Sequence, residues 1–557
     1  HRKTLNALQE SSVTRESMTR LAHHAEAIHD PDAVLEFAPL AAWWASTTSS
    51  HREAVALYEL ALRFAKSLPP ANHAQMLEAY MVELEFMNRF SDEIEACRSA
   101  IALWHSIGNR LREGKNLATL AGLCMNVGWR SEAEKSIERA ITILEDLSPS
   151  AELAQAYTEQ CYIRMMYRDC EAALPWGEKA IKLAERFEDF DALARAYDYM
   201  GCAALIIDYD RGLKLLERSL VIAREKKLPF AVGGTLGNLG GMLLEVREVT
   251  LANQYLAESI NYARQQDNDY HLMESQAWQA LANMYQGKWI EADTVARKIL
   301  EHSSNLPNVT RASVLFTLGR IRIRQGGNNV DQLLDEAFSV SIQADAPRFD
   351  SPRLLQAEFY WLIGNQPRVL EETHTAYELA LRNKHPWIAG ELAFWRWRSG
   401  DKNSPPAWIA KPFALQIAGD WHAAAKEWEE RGCPYEQAMA LVDGDDAAQL
   451  AALDIFERLG ALPALDILKR KMRADGTRIP RRPRPATREN PFNLTAREME
   501  ALVCLVDGLS NHAIAKKLSL STRTAEHHIA SILQKMGVGS RSEAVALALK
   551  ENLLRTE

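Results

Sequence analysis

An internal repeat of about 40 residues is the feature that most constrains this chain. A small or apolar residue followed by Ile, Leu or Val stands at Ala61-Leu62, Ala100-Ile101, Ala140-Ile141, Ala180-Ile181, Ser219-Leu220, Ser259-Ile260, Ile299-Leu300 and Ser339-Val340. The intervals are 39 or 40 residues, and Ala380-Leu381 follows after 41 as a ninth copy. Seven residues upstream, a second small position recurs at Ala54, Ala133, Ala173, Gly212, Ala252 and Ala292, while Glu93 and Gln332 break it. Seven residues span two helical turns, so both small residues lie on one face, where a neighbouring helix can come close. Helical stretches such as 116–126 and 192–204 lie between these segments, turn signals such as Gly128-Trp129 and Gly287-Lys288-Trp289 divide some units, and strand-like alternation is scarce. A helical hairpin cannot bury its apolar face alone. Stacked neighbours bury a continuous core, and the expected fold class is an all-α solenoid of helical hairpins.

The small-residue phasing, with segments such as Leu236-Gly237-Asn238-Leu239-Gly240, resembles tetratricopeptide repeats, at a period longer than the usual 34 or so. The solenoid is placed at 46–385, with a helical lead-in at 1–45. Residues 386–467 are less regular and hold six of the fourteen tryptophans, Trp387, Trp395, Trp397, Trp408, Trp421 and Trp428. Aromatics at helical spacing usually pack, so this part reads as the closing end of the solenoid. Gly233, Gly237 and Gly241 mark a small helix face for close packing. No strand precedes them, as a nucleotide loop would need. Gly108, Gly114, Lys115 and Asn116 come nearest to a phosphate-binding loop, but the spacing is one residue too long and Asn replaces Ser or Thr.

Of the 557 residues, 47% are hydrophobic and 25% charged, which excludes a mostly disordered chain. No run of 18 uncharged apolar residues indicates a membrane span. The N-terminus, HRKTLNALQE, has neither Met nor a signal-peptide core, so a fragment or processed chain working in the cytoplasm is expected. Seven scattered cysteines (Cys97, Cys124, Cys161, Cys170, Cys202, Cys433, Cys504) without a CxxC suggest buried thiols rather than disulfides or zinc. His23-His24 lacks partners at metal-site spacing and reads as packing or surface. No catalytic constellation is found, and no cofactor or metal is expected.

The net charge of −9 hides an asymmetry. Residues 468–489 carry nine Lys or Arg against Asp475 and Glu489, and Ile479–Pro485 (IPRRPRP) cannot hold a helix. This stretch, 468–490, is a basic linker between an acidic body and the C-terminal module, so a polyanion would be met at that end.

The module at 491–557 is dense in helix signals. Thr495–Glu498 is a capping box opening a helix that stops at Gly508. Ser510 caps a short helix, 511–518, and Ser521 caps a third that ends near Met536. The third helix turns Ala525, Ile529, Ile532, Leu533 and Met536 inward and Arg523, Glu526, His527, Ala530 and Gln534 outward. Ser540–Glu543 reads as a second capping box, starting a helix with Ala544, Val545 and Ala548 on one stripe. Two short helices joined tightly, the second with a polar face, form a helix-turn-helix whose second helix fits the roughly 12 Å major groove.

The run LTAREMEALVCLVDGLSNHAIAKKLSLSTRTAEHHIASILQKMGVGSRSEAVALA resembles the LuxR-type DNA-binding domain along its whole length. The resemblance extends upstream: PYEQAMAL, IFERLGALPALDILKRKMR and, near the start, RLAHHAEAIHDPDAVLEFAPLAAWWAS look like parts of the large ATP-binding LuxR-type regulators. Those regulators place an ATPase switch first, a helical-repeat sensor next and the DNA-binding domain last. By this resemblance Glu526, His527 and Ala530 read bases, while Ser521, Thr522, Arg523, Thr524 and Lys535 lie near phosphates and Asn511 supports them. Many relatives carry Lys at Glu526. A carboxylate there favours the cytosine N4 donor, so their target sequences do not transfer. His528 sits at the core edge, with packing and DNA contact both open. Ala544, Val545 and Ala548 resemble the dimerisation helix that aligns two modules on a palindromic site.

The function expected is a sequence-specific transcriptional regulator that is not an enzyme. Its partners would be double-stranded DNA, a second copy, a small-molecule or protein effector on the solenoid, and RNA polymerase. Two rival readings are a repeat-based interaction scaffold and the non-catalytic part of an ATP-driven switch protein.

Overall fold

The structure is a computed structural model that describes residues 1–2, 15–302, 306–328, 330–344, 352–477, 491–551 and 553. Among the described residues every regular element is helical. The IPRRPRP segment lies outside them. The chain divides into two compact units, 1–468 and 469–557.

In the first unit, antiparallel helix pairs follow one another as expected. Inner helices Pro70–Phe86, Arg110–Val127, Ala151–Met166, Phe190–Ile207, Pro229–Glu245, Asp269–Tyr285 and Asn308–Gln325 alternate with the outer helices that carry the repeated small residues. From Arg110–Val127 onwards each inner helix also packs on the next inner helix. Five hairpins further on the superhelix meets itself, Pro70–Phe86 touching Asp269–Tyr285 and Arg110–Val127 touching Asn308–Gln325. Arg52 closes the same seam through Asp267 at 2.6 Å and Asp269 at 2.7 Å.

The repeated positions Ala61, Ala100, Ala140, Ala180, Ser219 and Ser259 are all fully buried. Ser219 and Ser259 satisfy their hydroxyls inside the stack, against Thr235 at 2.9 Å and Ser275 at 2.8 Å. The eighth copy departs from the sequence reading: Ser339 is exposed, and Ala337 is buried with Val330 seven residues upstream. The helix there starts four residues after the left-handed Gly326, against two after Gly128 and Gly287. The longer turn changes the helical phase and moves Ser339 outward. Ala380 does continue the series, with Thr373 fully buried at the upstream position.

Gly233 and Gly241 let the helix Pro229–Glu245 lie close on Asp269–Tyr285: a Cβ would stand 2.4 Å from His271 Nδ1 and 2.7 Å from Trp278 Cε2. Gly114 is inside the helix Arg110–Val127, where a Cβ would meet the Leu144 side chain at 2.7 Å, so it builds packing rather than a phosphate loop. Six further helices, from Pro386–Arg398 to Leu462–Ala474, follow the hairpins. Trp387, Trp395 and Trp428 are buried among them, Phe413 and Trp428 meeting edge to face at 5.1 Å, whereas Trp408 is exposed. All seven cysteines are free and buried.

The stack also buries charge. Arg168, in the left-handed turn after Ala151–Met166, forms a bidentate pair with Glu245 at 2.7 and 2.6 Å, and His385 bonds the same carboxylate at 2.7 Å. Burial pushes the Glu245 carboxyl up, but Arg168 and His385 outweigh it and hold it down at about 2. A second cluster joins Arg247, Glu391, Arg320, Glu358 and Arg324. These partners are far apart in the chain, and no motif announced them.

The second unit packs the helices Ala496–Val506, Asn511–Leu518, Thr522–Met536 and Arg541–Lys550 around Leu494, Leu502, Leu505, Ile514, Ile529, Ile532 and Met536.

Candidate functional site

Local capping sets the surface of the second unit. Thr495 and Glu498 form the reciprocal capping box, Ser510 Oγ accepts from Ala513 N at 3.3 Å, and Ser521 Oγ accepts from Thr524 N at 3.1 Å. Each such cap stabilises its helix by about 1 kcal/mol. The chain leaves Asn511–Leu518 through a left-handed Ser519 (φ 57°) and re-enters helix at Thr522, which fixes the tight connection of a helix-turn-helix.

The helix Thr522–Met536 buries Ala525, Ile529, Ile532 and Met536, with Leu533 half-buried. Its opposite face exposes Arg523, Glu526, His527, Ala530 and Gln534. Thr522 and Thr524 are exposed at its N-terminus, where the helix dipole favours a phosphate. His528 is half-buried, on the boundary between the two faces. Asn511 Oδ1 accepts from Arg541 Nη1 at 2.9 Å, so it ties the second helix to the fourth.

Three expectations need correction. Lys535 does not stand free for phosphate: its Nζ bonds Glu498 Oε2 at 2.6 Å and the Asn493 carbonyl at 3.1 Å, clamping the third helix to the first. Burial pushes the Glu498 carboxyl up, yet bonds from Lys535, Ser531 and Thr495 hold it down at about 2. Ala544 and Ala548 are fully buried in the unit's own core and offer no surface to a second copy. On the outer side of that helix Val545 is half-buried while Ala546 and Leu549 are exposed. Ser540–Glu543 is half a capping box: Ser540 Oγ accepts from Glu543 N at 3.3 Å, but the Glu543 carboxylate accepts from Gly539 N.

The first unit holds a separate candidate that sequence reasoning missed. A cavity of about 310 Å³ lies among the inner helices, with Glu85, Glu93, Glu159, Asp198, Tyr199, Tyr270 and Trp278 in its wall. Arg195 sits beside Glu85 at 4.0 Å and Asp191 at 3.1 Å. Burial pushes the Glu159 and Asp198 carboxyls up to about 7. Gly122 leaves room for one of them, since a Cβ there would stand 2.5 Å from Glu159 Oε2. The sequence signal was present as acidic residues at inward positions of inner helices, but only the superhelix shows that they converge.

Residues 493–548 match the family described as bacterial regulatory proteins, luxR family. Among curated relatives, the chain is 40% identical over 62 residues to the transcriptional regulatory protein DegU of Brevibacillus brevis, covering 11% of this chain and 26% of that protein. It is 41% identical over 70 residues to the oxygen regulatory protein NreC of Staphylococcus aureus, covering 12% and 32%. The chain thus spans about a quarter to a third of those relatives' length. Among solved structures, a Rap protein complexed with competence and sporulation factor is similar over 65% of this chain and 99% of that one, at 13% identity and a TM-score of 0.40.

Proposed function

We propose, on the premise that residues 493–548 are a LuxR-family helix-turn-helix domain, that this protein is a sequence-specific transcriptional regulator whose helical-repeat unit receives the signal. One observation carries the reading: within that domain the capped helix Thr522–Met536 presents an exposed polar face with Arg523, Glu526, His527 and Gln534. A helix of that kind fits the major groove, with Glu526, His527 and Ala530 toward base edges. Ser521, Thr522, Arg523 and Thr524 meet phosphates at its N-terminal end, and the basic residues of 468–490 add counterion-releasing attraction. Asn511 supports the reader through Arg541. His528 packs at its edge.

A second copy binds through the exposed side of the last helix, Val545, Ala546 and Leu549, so that two readers face a palindromic site. The effector enters the interior of the repeat unit and changes how the readers are presented. The protein works in the cytoplasm, where RNA polymerase is the downstream partner, and it catalyses no reaction. Among the described residues no helix is long and apolar enough to cross a membrane.

The test is fluorescence anisotropy of the whole chain on a random-duplex pool over a salt series, with sequence enrichment. The expected result is an enriched dyad-symmetric site that loses about 1–3 kcal/mol of binding for Glu526→Ala or His527→Ala. Salt-sensitive binding without enrichment would reduce the interaction to the basic linker. No binding by folded protein would overturn the regulator reading and leave the interaction scaffold.

A further inference from the structure

The cavity among the inner helices has a composition that narrows what can occupy it. Glu85, Glu93, Glu159, Asp191 and Asp198 line it, against three cationic side chains, Lys115, Arg168 and Arg195, while Glu78 in the same wall is met by Arg112 at 3.3 Å. Arg168 is already spent on Glu245 in a bidentate pair. Arg195 is shared between Asp191 and Glu85. Asp198 is met by the Asn238 amide at 2.9 Å. The wall therefore carries more carboxyl groups than its own cations can neutralise.

Glu93 is the telling residue. It interrupts the small-residue series of the repeat, lies on the helix Phe90–Ser106, and is only 3% exposed. It faces the cavity, and its Oε2 has no hydrogen-bond partner among the described residues. Burial, with Glu85 close by, pushes its carboxyl well above the usual range. A buried acceptor without a partner is destabilising, and the equivalent position is Ala or Gly in six other repeats, so Glu93 marks a place where a ligand can meet it.

Aromatic rings also line the wall. Tyr162 and Tyr199 lie ring to ring at 4.8 Å, Phe230 and Tyr270 stack at 6.2 Å, and Trp278 is buried beside them. Aromatic faces carry negative charge and attract a desolvated cation. Carboxyl groups that lack a cationic partner, together with ring faces around one small chamber, form a receptor for positive charge on an apolar body, since a bound cation would favour their ionised form. A neutral molecule would leave the raised Glu93 carboxyl protonated, whereas an ammonium ion would pair with its carboxylate.

We propose that this cavity binds a small organic cation, an alkyl- or arylalkylammonium ion, with Glu93, Glu85 and Glu159 on the ammonium group and the Tyr162, Tyr199, Tyr270 and Trp278 rings around its body. The proposal rests on the reading of the repeat unit as the effector receiver, and it names the chemical class of that effector.

The experiment is calorimetric and thermal-shift titration of the full chain with four probes: phenethylamine, putrescine, neutral 2-phenylethanol and anionic phenylacetate. Amine binding should be saturable and raise the unfolding midpoint of the repeat unit by about 3 °C at roughly one hundred times Kd. Phenylethanol and phenylacetate should not bind. Glu93→Gln, which preserves shape, should weaken the amine by about tenfold or more. Trp278→Leu should weaken it by about tenfold through the lost ring. A circular-dichroism melt of each variant without probe verifies folding, and Gly122→Ala, which crowds Glu159, gives an independent obstruction of the chamber. Preference for the alcohol or the carboxylate would overturn the cation class while keeping the cavity as a receiver. Amine binding indifferent to Glu93→Gln and Gly122→Ala would overturn the site. Failure of all four probes against folded protein would overturn the proposal. The DNA titration is a separate readout, so loss of regulator function and loss of ligand binding are told apart.

Discussion

The two units handle polar groups in opposite ways. The C-terminal domain places the side chains proposed to read DNA outside, on a helix whose caps lie three residues from what they cap. Its stability comes from a small apolar core and local hydrogen bonds. The repeat unit turns its charge inward, where Arg168 meets Glu245 across 77 residues and His385 reaches the same carboxylate across 140. A reader must present unsatisfied donors and acceptors to a partner. A receiver must hold them in a closed, low-dielectric place, where selectivity is greatest but an unmatched group is costly.

That contrast can be broken most severely at Glu245. Arg168→Met leaves a buried carboxylate with one partner fewer, and the expected loss is about 3–5 kcal/mol of repeat-unit stability in urea unfolding. The C-terminal transition should stay where it is. An unchanged repeat-unit transition would mean that the pair is not buried as described. Next in size, Glu498→Gln removes the anchor shared by Lys535, Ser531 and Thr495, and about 1–3 kcal/mol should go from the C-terminal domain alone.

The Glu498 carboxyl is held low in the fold, so it contributes stability above its ordinary value of 4.5. That contribution should fade as pH falls toward about 2, and the Gln variant should lack this part of the acid transition. Ser521→Ala should cost about 1 kcal/mol by cap loss, measured on the same domain by thermal melting.

A pH effect sharpens the comparison from the other side. The carboxyl of Glu159 lies near Glu85, Asp191 and Arg195, and burial raises it from 4.5 to about 7 in the fold. Between those values the folded chain holds a proton that the unfolded chain has released, so stability falls as pH rises through this window and levels off above it. Glu159→Gln should flatten that part of the repeat-unit stability profile. A slope of the opposite sign would show that its carboxyl is paired in the fold.

Much of this is legible in the sequence. The spacing of Ala100, Ala140 and Ala180 located the buried seam of each hairpin, because a close helix approach excludes larger side chains. Ser510, Ser521 and the Thr495–Glu498 pair located helix starts, because capping acts within one turn. Phase errors arose where a turn changed length, as at Gly326, or where a helix face met a second neighbour. Ala544 and Ala548 illustrate the latter: a small-residue stripe is equally suited to a partner chain and to the domain's own core, and the core has it. Lys535 was misplaced for a similar reason, since an exposed-looking lysine gives no sign in sequence of a carboxylate 37 positions away.

The sequence by itself determined the all-α class, the repeat, the order of units and the outward face of the helix Thr522–Met536. These follow from periodicity and capping, which act over a few residues and can be read along the chain. Tertiary structure alone decided which charges pair inside the superhelix and that Glu93, Glu159 and Tyr270 share a chamber. Those contacts join segments hundreds of atoms apart along the backbone. They exist only once the solenoid's curvature has brought its inner helices around a common space, and that curvature is a sum of small packing angles that no local pattern records.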